Sequence, residues 1–385
     1  MSKIAKMTQE QIDNLPKDLF VFYQNTEDAE GITNKPISFW KDAMRRLMKN
    51  KIAVISLIVI GILLSMSIIM PQVSQYDLVG RVNEDLTVYA QLPPRIPVLE
   101  KLGIFDGTLT IEVNEKTLPE LGLKEGQYKI VDTFERKGNT YVTVKEYTYQ
   151  ILGIEDEYYF FGTDILARDV WTRVWYGTRI SLLIGFYAMI IDILIGVIYG
   201  GIAGFFGGTL LDDIMMRIIE ILYGIPSLVI LFILFMFIKP GIVPIAIAIA
   251  LTGWISVARM VRAQFLRLRD QEFVLAARTL GASSGRIIIK HLIPNVVAQI
   301  VIMASFEIPS AIFYEAFLAF IGVGLDITRP SLGVLINNAL NTTYGAMTYV
   351  YQLVIPSIIL SLLMLSINLL GNGLRDALDP RMRNN

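Results

Sequence analysis

Between two long apolar runs, the chain reads Gln271-Glu-Phe-Val-Leu-Ala-Ala-Arg-Thr-Leu-Gly-Ala-Ser-Ser-Gly-Arg-Ile-Ile-Ile-Lys-His-Leu-Ile-Pro-Asn295. Apolar residues at helical spacing stand on both sides of Gly281, which predicts two short helices joined at that glycine. The first face comprises Phe273, Ala276, Ala277 and Leu280, and the second comprises Ile287, Ile288 and Leu292 and ends near Pro294. Because an isolated amphipathic hairpin of this length is marginally stable in water, the segment is expected to bind a partner. A simple loop on the membrane surface is the alternative.

Working outward from this segment, the sequence contains long apolar runs that are typical of membrane spans. A helix needs roughly 20 apolar residues to cross about 30 Å of hydrocarbon. Six runs qualify, at 52–70, 180–206, 214–238, 242–261, 296–321 and 352–370. Roughly fifty mostly polar residues precede the first run, which is too far along the chain for a cleaved signal peptide. The sequence therefore predicts an all-α polytopic membrane protein.

The composition agrees with a chain that is solvated mainly by lipid. Of 385 residues, 54% are hydrophobic and 18% are charged, whereas soluble domains average about 25% charged. A net charge of −1 argues against nucleic acid as the main partner. The chain has no cysteine and one histidine, His291, which excludes thiolate zinc sites and a multi-histidine metal site.

Basic residues next to the spans predict the orientation, because Lys and Arg concentrate on the cytoplasmic side. They cluster before the first span, between the fourth and fifth spans, and in the tail at 375–385. Segment 1–51, with an amphipathic helix, is therefore expected inside, as are the loop 262–295 and the tail. Both termini are cytoplasmic in this prediction, and the protein is placed in the plasma or inner membrane.

Residues 71–160 form a polar insert, which this topology places outside the cytoplasm. Segments 108–113 and 141–149 have the alternation or the β-branched and aromatic residues of strands, and Gly107, Gly126 and Gly138 mark turns. The insert is predicted to be strand-rich. It either shields the loop or docks another protein, and the sequence leaves both open.

Glycines recur every four residues along the second span, at Gly196, Gly200, Gly204 and Gly208. A helix places such residues on one face, where small residues let a second helix approach closely. The stripe is predicted to be a packing seam.

Four acids also lie within spans: Asp192, Glu220, Glu307 and Glu315. Because a charge facing lipid is costly, they are expected to face protein or a water-filled path.

The loop resembles the cytoplasmic loop of binding-protein-dependent ABC importer permeases, in which Ala-Ala, three residues, Gly, nine residues and a hydrophobic-Pro ending recur. Ala276, Ala277, Gly281 and Pro294 fit that pattern. The sequence departs from it at Leu275, where Glu is usual, and at His291, where Ile is common. Glu272 is a candidate to take over the role of the missing glutamate.

A second segment, Phe161-Gly-Thr-Asp-Ile-Leu-Ala-Arg-Asp-Val-Trp-Thr-Arg-Val-Trp-Tyr-Gly-Thr-Arg-Ile-Ser-Leu182, resembles the stretch before the second span in the dipeptide, oligopeptide and nickel branch. Ala167 replaces the usual Gly. The candidate residues of this pre-helix motif are Gly162, Thr163, Asp164, Arg168, Asp169, Arg173 and Gly177. Residues 39–54 and the closing Gly-Leu-Arg-Asp-Ala-Leu-Asp-Pro-Arg also resemble that branch's second permease subunit, whose core would occupy 161–374 here.

The resemblance implies the type I importer fold with six transmembrane helices, and a homologous second permease, two ATP-binding subunits and an extracytoplasmic binding protein as partners. It also implies that Gly281 forms the turn of a coupling hairpin, that Ala276 and Ala277 permit close docking, and that Arg278 contacts the ATPase. The chain has no Gly-Lys-Ser/Thr phosphate loop, so ATP and Mg are expected in the partner subunits and no catalytic residue or cofactor is expected here.

Three alternatives to a peptide permease remain open at this point. A nickel or metal-complex importer shares the motifs. An ATP-independent secondary carrier would use the intramembrane acids, and would ordinarily show inverted repeats and broken helices. A membrane enzyme would need a nucleophile set, a metal cluster or paired acids within the spans.

Overall fold

The computed structural model describes residues 38–238, 241–322, 330–341 and 348–379. Most of the first predicted segment, 1–51, and the end of the predicted tail lie outside these ranges. The main compact unit begins at Ala43.

Six helices or helix pairs correspond to the predicted spans. α1 (Phe39–Lys49) precedes α2 (Lys51–Val73). Asn50 caps the N-terminus of α2, because its side-chain oxygen accepts from the backbone amides of Ile52 and Ala53. The long helices that follow are α5 (Val170–Phe205), α8 (Ile242–Leu268), α11 (Ile293–Phe320) and α13 (Val350–Leu378), and α12 (Leu332–Leu340) is a short helix between the last two. Five spans among the described residues are long and apolar enough to cross a membrane.

The third predicted run, 214–238, is not one straight helix. It divides into α6 (Leu210–Gly224) and α7 (Ser227–Phe237), which meet at 84°. Pro226 explains the break, because a proline lacks the amide that would continue the hydrogen-bond ladder and disfavours helix at the preceding residue. Counting this pair as one span brings the total to six.

The insert contains short helices α3 (Leu86–Tyr89) and α4 (Thr148–Leu152) and a three-stranded antiparallel sheet. β1 (Thr108–Asn114) and β2 (Tyr128–Arg136) both pair with the central β3 (Asn139–Tyr147). A two-residue turn of Lys137 and Gly138, both with positive φ, joins β2 to β3, as tight hairpins require. The predicted strand at 141–149 ends earlier than expected because α4 begins at Thr148.

The buried core runs between the helices. α5 is central: one cluster joins it to α7, α8, α11 and α12 through residues such as Ile184, Ile245 and Leu318, and another joins it to α2 and α13 through Val174 and Leu363. A third cluster joins α5, α8 and α11 to the segment after α8. That third cluster positions the candidate coupling segment.

Candidate functional site

Residues 271–295 form a folded hairpin of helices. α9 (Glu272–Thr279) has Leu280 as its C-terminal capping residue, and α10 (Ser284–Ile287) follows Gly281. Gly281 adopts φ +78°, and the amide of Ala282 donates to the carbonyl of Ala277 at 3.0 Å. This is the left-handed glycine termination that commonly ends helices. The predicted turn thus lies at the predicted glycine.

The hairpin has a buried side and an exposed side. Val274 and Ile287 are fully buried with Leu292 against Val261 and Phe265 of α8. The opposite side exposes apolar residues: Leu280 is 88% exposed, Ile289 66% and Phe273 40%. Of the apolar face predicted before the glycine, Ala277 is buried, whereas Phe273, Ala276 and Leu280 face outward. Sequence reasoning missed Val274, although it lies three residues before Ala277 and so shares its side of the helix.

The other candidate residues of the hairpin lie on its outer side or at its end. Glu272 and Arg278 are exposed, and the guanidinium of Arg278 lies 5.8 Å from the centre of the Phe205 ring. Pro294 is exposed in the first turn of α11. A π-helical turn at Ile288–Leu292 joins α10 to α11, so the second half of the hairpin continues directly into a span.

The predicted loop boundary at residue 262 falls inside α8, which continues to Leu268. Arg262 therefore lies on a helix, where it makes a bidentate pair with Asp212 of α6. Its Nε and Nη2 donate to the two carboxylate oxygens at 2.7 Å each. The Asp212 side chain is 2% exposed. The sequence carries no signal for this contact, which joins residues fifty positions apart.

The pre-helix motif folds around the carboxylate of Asp164. It accepts from the amides of Leu166 and Arg168 at 2.9 and 3.0 Å and from Arg168 Nε at 2.7 Å. Arg173 Nε lies 3.7 Å away, and Arg173 Nη1 donates to the carbonyl of Leu78. These contacts bring the predicted motif residues Asp164, Arg168 and Arg173 together at the junction between the insert and α5.

Asp169 and Thr163 complete this junction. Asp169 begins α5 by accepting from the amide and hydroxyl of Thr172 at 2.8 and 2.6 Å; burial raises the pKa of its carboxyl, and these donors oppose the rise. The Thr163 hydroxyl donates to the carbonyl of Tyr89, and its own carbonyl accepts from Gln352 of α13. The motif therefore connects the insert to two long helices.

Three small-residue positions in the motif follow from close packing or backbone shape. A Cβ on Gly162 would lie 2.2 Å from the carbonyl oxygen of Leu92, and one on Gly177 would lie 3.0 Å from Ser331. Ala167 is fully buried at φ +55°. That left-handed conformation suits the glycine found at this position in the family that the motif resembles.

The glycine stripe of α5 faces α8. A Cβ would lie 2.5 Å from Val257 at Gly196, 2.2 Å from Ala258 at Gly200 and 2.6 Å from Phe265 at Gly204. Gly208 does not share this face, which corrects its assignment to the helix seam. α5 ends at Phe205, and Gly208 lies beyond it in a turn with φ +75°, where a Cβ would have no neighbour within 4 Å.

The four acids fall into different environments. Glu315 is buried and accepts from the Ser181 hydroxyl at 3.0 Å. Glu220 is 54% exposed and pairs with Arg217 at 2.9 Å. Asp192 and Glu307 line one cleft of about 390 Å³ together with Ser256, Ser310 and Tyr314. Of the four acids, Asp192 and Glu307 are the two that line this cleft.

In the described part of the chain, no group of three or more His, Cys, Asp or Glu side chains is placed to hold a metal ion. The candidate site residues lie in four places: a hairpin with an exposed apolar side, a structural junction before α5, a glycine-mediated contact between helices, and an acidic cleft.

Two family models match the chain. Residues 193–384 match the binding-protein-dependent transport system inner membrane component, and residues 38–94 match the N-terminal transmembrane domain of oligopeptide transport permease C. The first match covers α8, the hairpin and α11, and the second covers α1 and α2. Both matched ranges therefore contain long helices of the structure.

Relatives over nearly the whole chain are peptide permeases. The dipeptide transport system permease protein DppC of Bacillus subtilis is 36% identical over 97% of this chain and 96% of its own. The oligopeptide transport system permease protein OppC of the same organism is 35% identical over 97% and 100%, and DppC of Lactococcus lactis is 38% identical over 96% and 99%. An inward-facing structure of the MetNI methionine ABC transporter covers 52% of this chain and 94% of its own, at 20% identity and a TM-score of 0.40, a likeness too distant to support an argument.

Proposed function

This chain belongs to the membrane-spanning permeases of the dipeptide and oligopeptide ABC importers, and from that premise we propose that it forms half of the path and is driven through the hairpin at 271–295. As a multi-pass permease of this family it has a transport role. The finer assignments concern its partners, its orientation and the residues that couple it to ATP.

The proposal rests on the exposed apolar side of the hairpin. Leu280, Ile289 and Phe273 expose hydrophobic surface next to the charged side chains of Glu272 and Arg278. An apolar centre with a polar rim is the usual composition of a protein interface. We infer that an ATP-binding subunit covers this side.

The buried side of the hairpin supports its role as a lever. Val274, Ile287 and Leu292 pack against α8, and the hairpin continues into α11 through its π-helical turn. A displacement of the docked partner would therefore move two long helices together instead of bending a free loop. Packed elements of this kind switch between discrete arrangements, here inward-open and outward-open paths.

Six spans with both termini in the cytoplasm suit this arrangement. The pair α6 and α7 serves as one broken span, and the hairpin carries Arg278, Arg286 and Lys290, as cytoplasmic segments do. The sheet of the insert then lies on the opposite side of the membrane, where an extracytoplasmic binding protein would deliver peptide. A homologous permease would supply the other half of the path, and two ATP-binding subunits would hydrolyse ATP with Mg.

The test is reconstitution of the chain with its candidate partners, with peptide uptake measured into liposomes. We expect Leu280→Glu to release the ATP-binding subunits during affinity purification and to abolish uptake. The permease itself should keep its melting temperature, because Leu280 is 88% exposed.

The matched control is Leu102→Glu, since Leu102 is 72% exposed in the insert, away from the hairpin. This variant should retain the ATP-binding subunits. Full uptake by Leu280→Glu, or equal losses in both variants, would contradict docking at the hairpin. A wild-type complex that transports no peptide would contradict the proposed substrate.

A further inference from the structure

The cleft of about 390 Å³ lies between five helices, near the middle of α5, α8 and α11 and beside α6 and α7. Asp192 enters it from α5 and Glu307 from α11, while Ser256 of α8 and the break between α6 and α7 form other walls. A cleft between long helices at this depth is where substrate-binding sites of transporters commonly lie.

Asp192 is buried in this cleft without a full set of hydrogen bonds. It is 1% exposed, and no hydrogen bond reaches its Oδ1 within the described part of the chain. Gly253 makes room for the carboxylate, because a Cβ at Gly253 would lie 2.4 Å from Asp192 Oδ2. Burying a carboxylate oxygen without a hydrogen bond is costly. Asp192 would therefore be stabilised by a hydrogen-bond donor from outside this chain.

The surroundings of Asp192 favour a positively charged partner. Glu307 adds a second acid, and α6 ends at Gly224 beside the cleft, where the last carbonyls of a helix carry partial negative charge. Among the described ion pairs, none joins a Lys or Arg to either acid. Arg259 lies beside the cleft, where its guanidinium stacks on the ring of the lining residue Tyr223 at 4.5 Å.

We propose that Asp192 and Glu307 form a subsite for a cationic group, and that its occupant is the α-ammonium of a peptide in transit. This proposal rests on the peptide import proposed above. An ammonium donates three hydrogen bonds and would satisfy the unpartnered oxygen of Asp192. The serine and tyrosine hydroxyls of the cleft would supply further acceptors, so that binding selects the charged end of the peptide without reading its side chains.

The absence of cysteine from this chain allows a direct test. In the assembled transporter in liposomes, Ser256→Cys places one thiol in the cleft of this chain. Its rate of modification is measured with a trimethylammonium thiosulfonate and with a sulfonate thiosulfonate, each divided by the reagent's rate on a free thiol. Two acids in a partly enclosed cleft should favour the cationic reagent by about tenfold.

Asp192→Asn and Glu307→Gln, each in the Ser256→Cys background, should reduce this preference. Glu220→Gln is the matched control, because Glu220 is exposed, pairs with Arg217 and is not among the residues that line the cleft; it should preserve the preference. Ser310→Cys repeats the measurement from α11 if the first thiol impairs assembly. Equal relative rates for the two reagents in the Ser256→Cys chain with both acids present would overturn the subsite. A preference for the cationic reagent that is unchanged by Asp192→Asn would overturn it as well.

Protection of the thiol identifies the occupant. Trialanine should slow modification at millimolar concentration, whereas N-acetyl-trialanine should not. Equal protection by both peptides, or protection by sodium chloride at the same concentration, would overturn the assignment to an ammonium. Peptide uptake by the unmodified transporter is scored separately, so a failure of the subsite is distinguishable from a failure of the import function.

Discussion

Gly200 lies against the backbone of Ala258, so that a Cβ on the glycine would lie 2.2 Å from the alanine carbonyl oxygen. Backbone, unlike the end of a flexible side chain, cannot move aside cheaply. The contact between α5 and α8 therefore depends on the absence of a side chain at this residue. Both helices also support the hairpin and the acidic cleft, so a change in their spacing reaches both candidate sites.

We expect Gly200→Ala to lower the stability of the protein by about 1–3 kcal/mol, the usual cost of overpacking, and Gly200→Leu to prevent assembly. Thermal unfolding of the purified chain measures the first effect, and membrane abundance measures the second. Gly61→Ala is the control, because this helical glycine of α2 has nothing within 4 Å of a Cβ. Equal melting temperatures for Gly200→Ala and Gly61→Ala would show that the helices can separate without cost.

Gly281 poses a different constraint, since its φ of +78° is strained for other residues although the surrounding space is open. A left-handed residue with a side chain costs roughly 1–2 kcal/mol, and Asn tolerates that conformation better than a β-branched residue does. We expect uptake to fall slightly in Gly281→Asn and strongly in Gly281→Val. Gly281→Asp should abolish ATP-coupled uptake while membrane insertion stays normal, because it adds a negative charge to the exposed turn of the hairpin that is proposed to dock the ATP-binding subunit.

Gly285→Ala is the control for these variants, because Gly285 lies in α10 of the same hairpin, without a positive φ and with open space around it. Uptake and membrane abundance are measured for every variant. Normal uptake by Gly281→Val would refute the requirement for a left-handed turn.

Ala167 also has a positive φ, +55°, but it is fully buried in the junction before α5. We expect Ala167→Gly to be neutral or stabilising, because relief of the strained backbone offsets the loss of one methyl group and the greater freedom of the unfolded chain. The same change in a helix, Ala203→Gly, should lower stability by about 1 kcal/mol. Thermal unfolding of both variants measures the change in stability. A similar loss of stability in both would mean that the backbone of Ala167 is not strained.

The sequence predicts those features that depend on solvent and local geometry alone. Five of the six apolar runs correspond to single helices that are long and apolar enough to cross a membrane, because lipid requires a continuous apolar length. Gly281 identified a turn because its helix-breaking role is local. The break at Pro226 was readable from the proline, yet hydropathy averaged over 214–238 concealed it. Two of the three strands of the insert were recognised, whereas β2, with Lys, Asp, Glu and Arg among its nine residues, was not.

Long-range contacts could not be read in the same way. Periodicity indicates that α9 has two sides, but not which of them meets α8, and the inner side proved to contain Val274 instead of Phe273. The sharing of one cleft by Asp192 and Glu307, which are more than a hundred residues apart, depends on how three helices pack. A single sequence records the presence of both acids and carries no signal for their proximity.

The pair of Arg262 with Asp212 supports the last prediction, because it connects α8, which supports the hairpin, to α6, which borders the cleft. Its two bonds of 2.7 Å are bidentate, and the carboxylate is 2% exposed while the guanidinium is 28% exposed. Removal of Arg262 leaves the buried Asp212 carboxylate with the hydrogen bond from the Gly208 amide at 3.0 Å but with no ion-pair partner on α8. Breaking an enclosed pair in this way costs about 3–5 kcal/mol. We expect Arg262→Ala to lie near the lower end of that range, since Arg262 is partly exposed.

Arg217→Ala provides the comparison, because it removes a pair of similar length, 2.9 Å, in which both side chains are more than half exposed. Exposed pairs contribute at most about 1 kcal/mol, so thermal unfolding should separate the two variants clearly. The double variant Asp212→Asn with Arg262→Ala should recover part of the loss, as it no longer buries an unpaired charge. If the double variant is less stable than Arg262→Ala, the loss reflects missing packing between α6 and α8, and the electrostatic account of this contact is wrong.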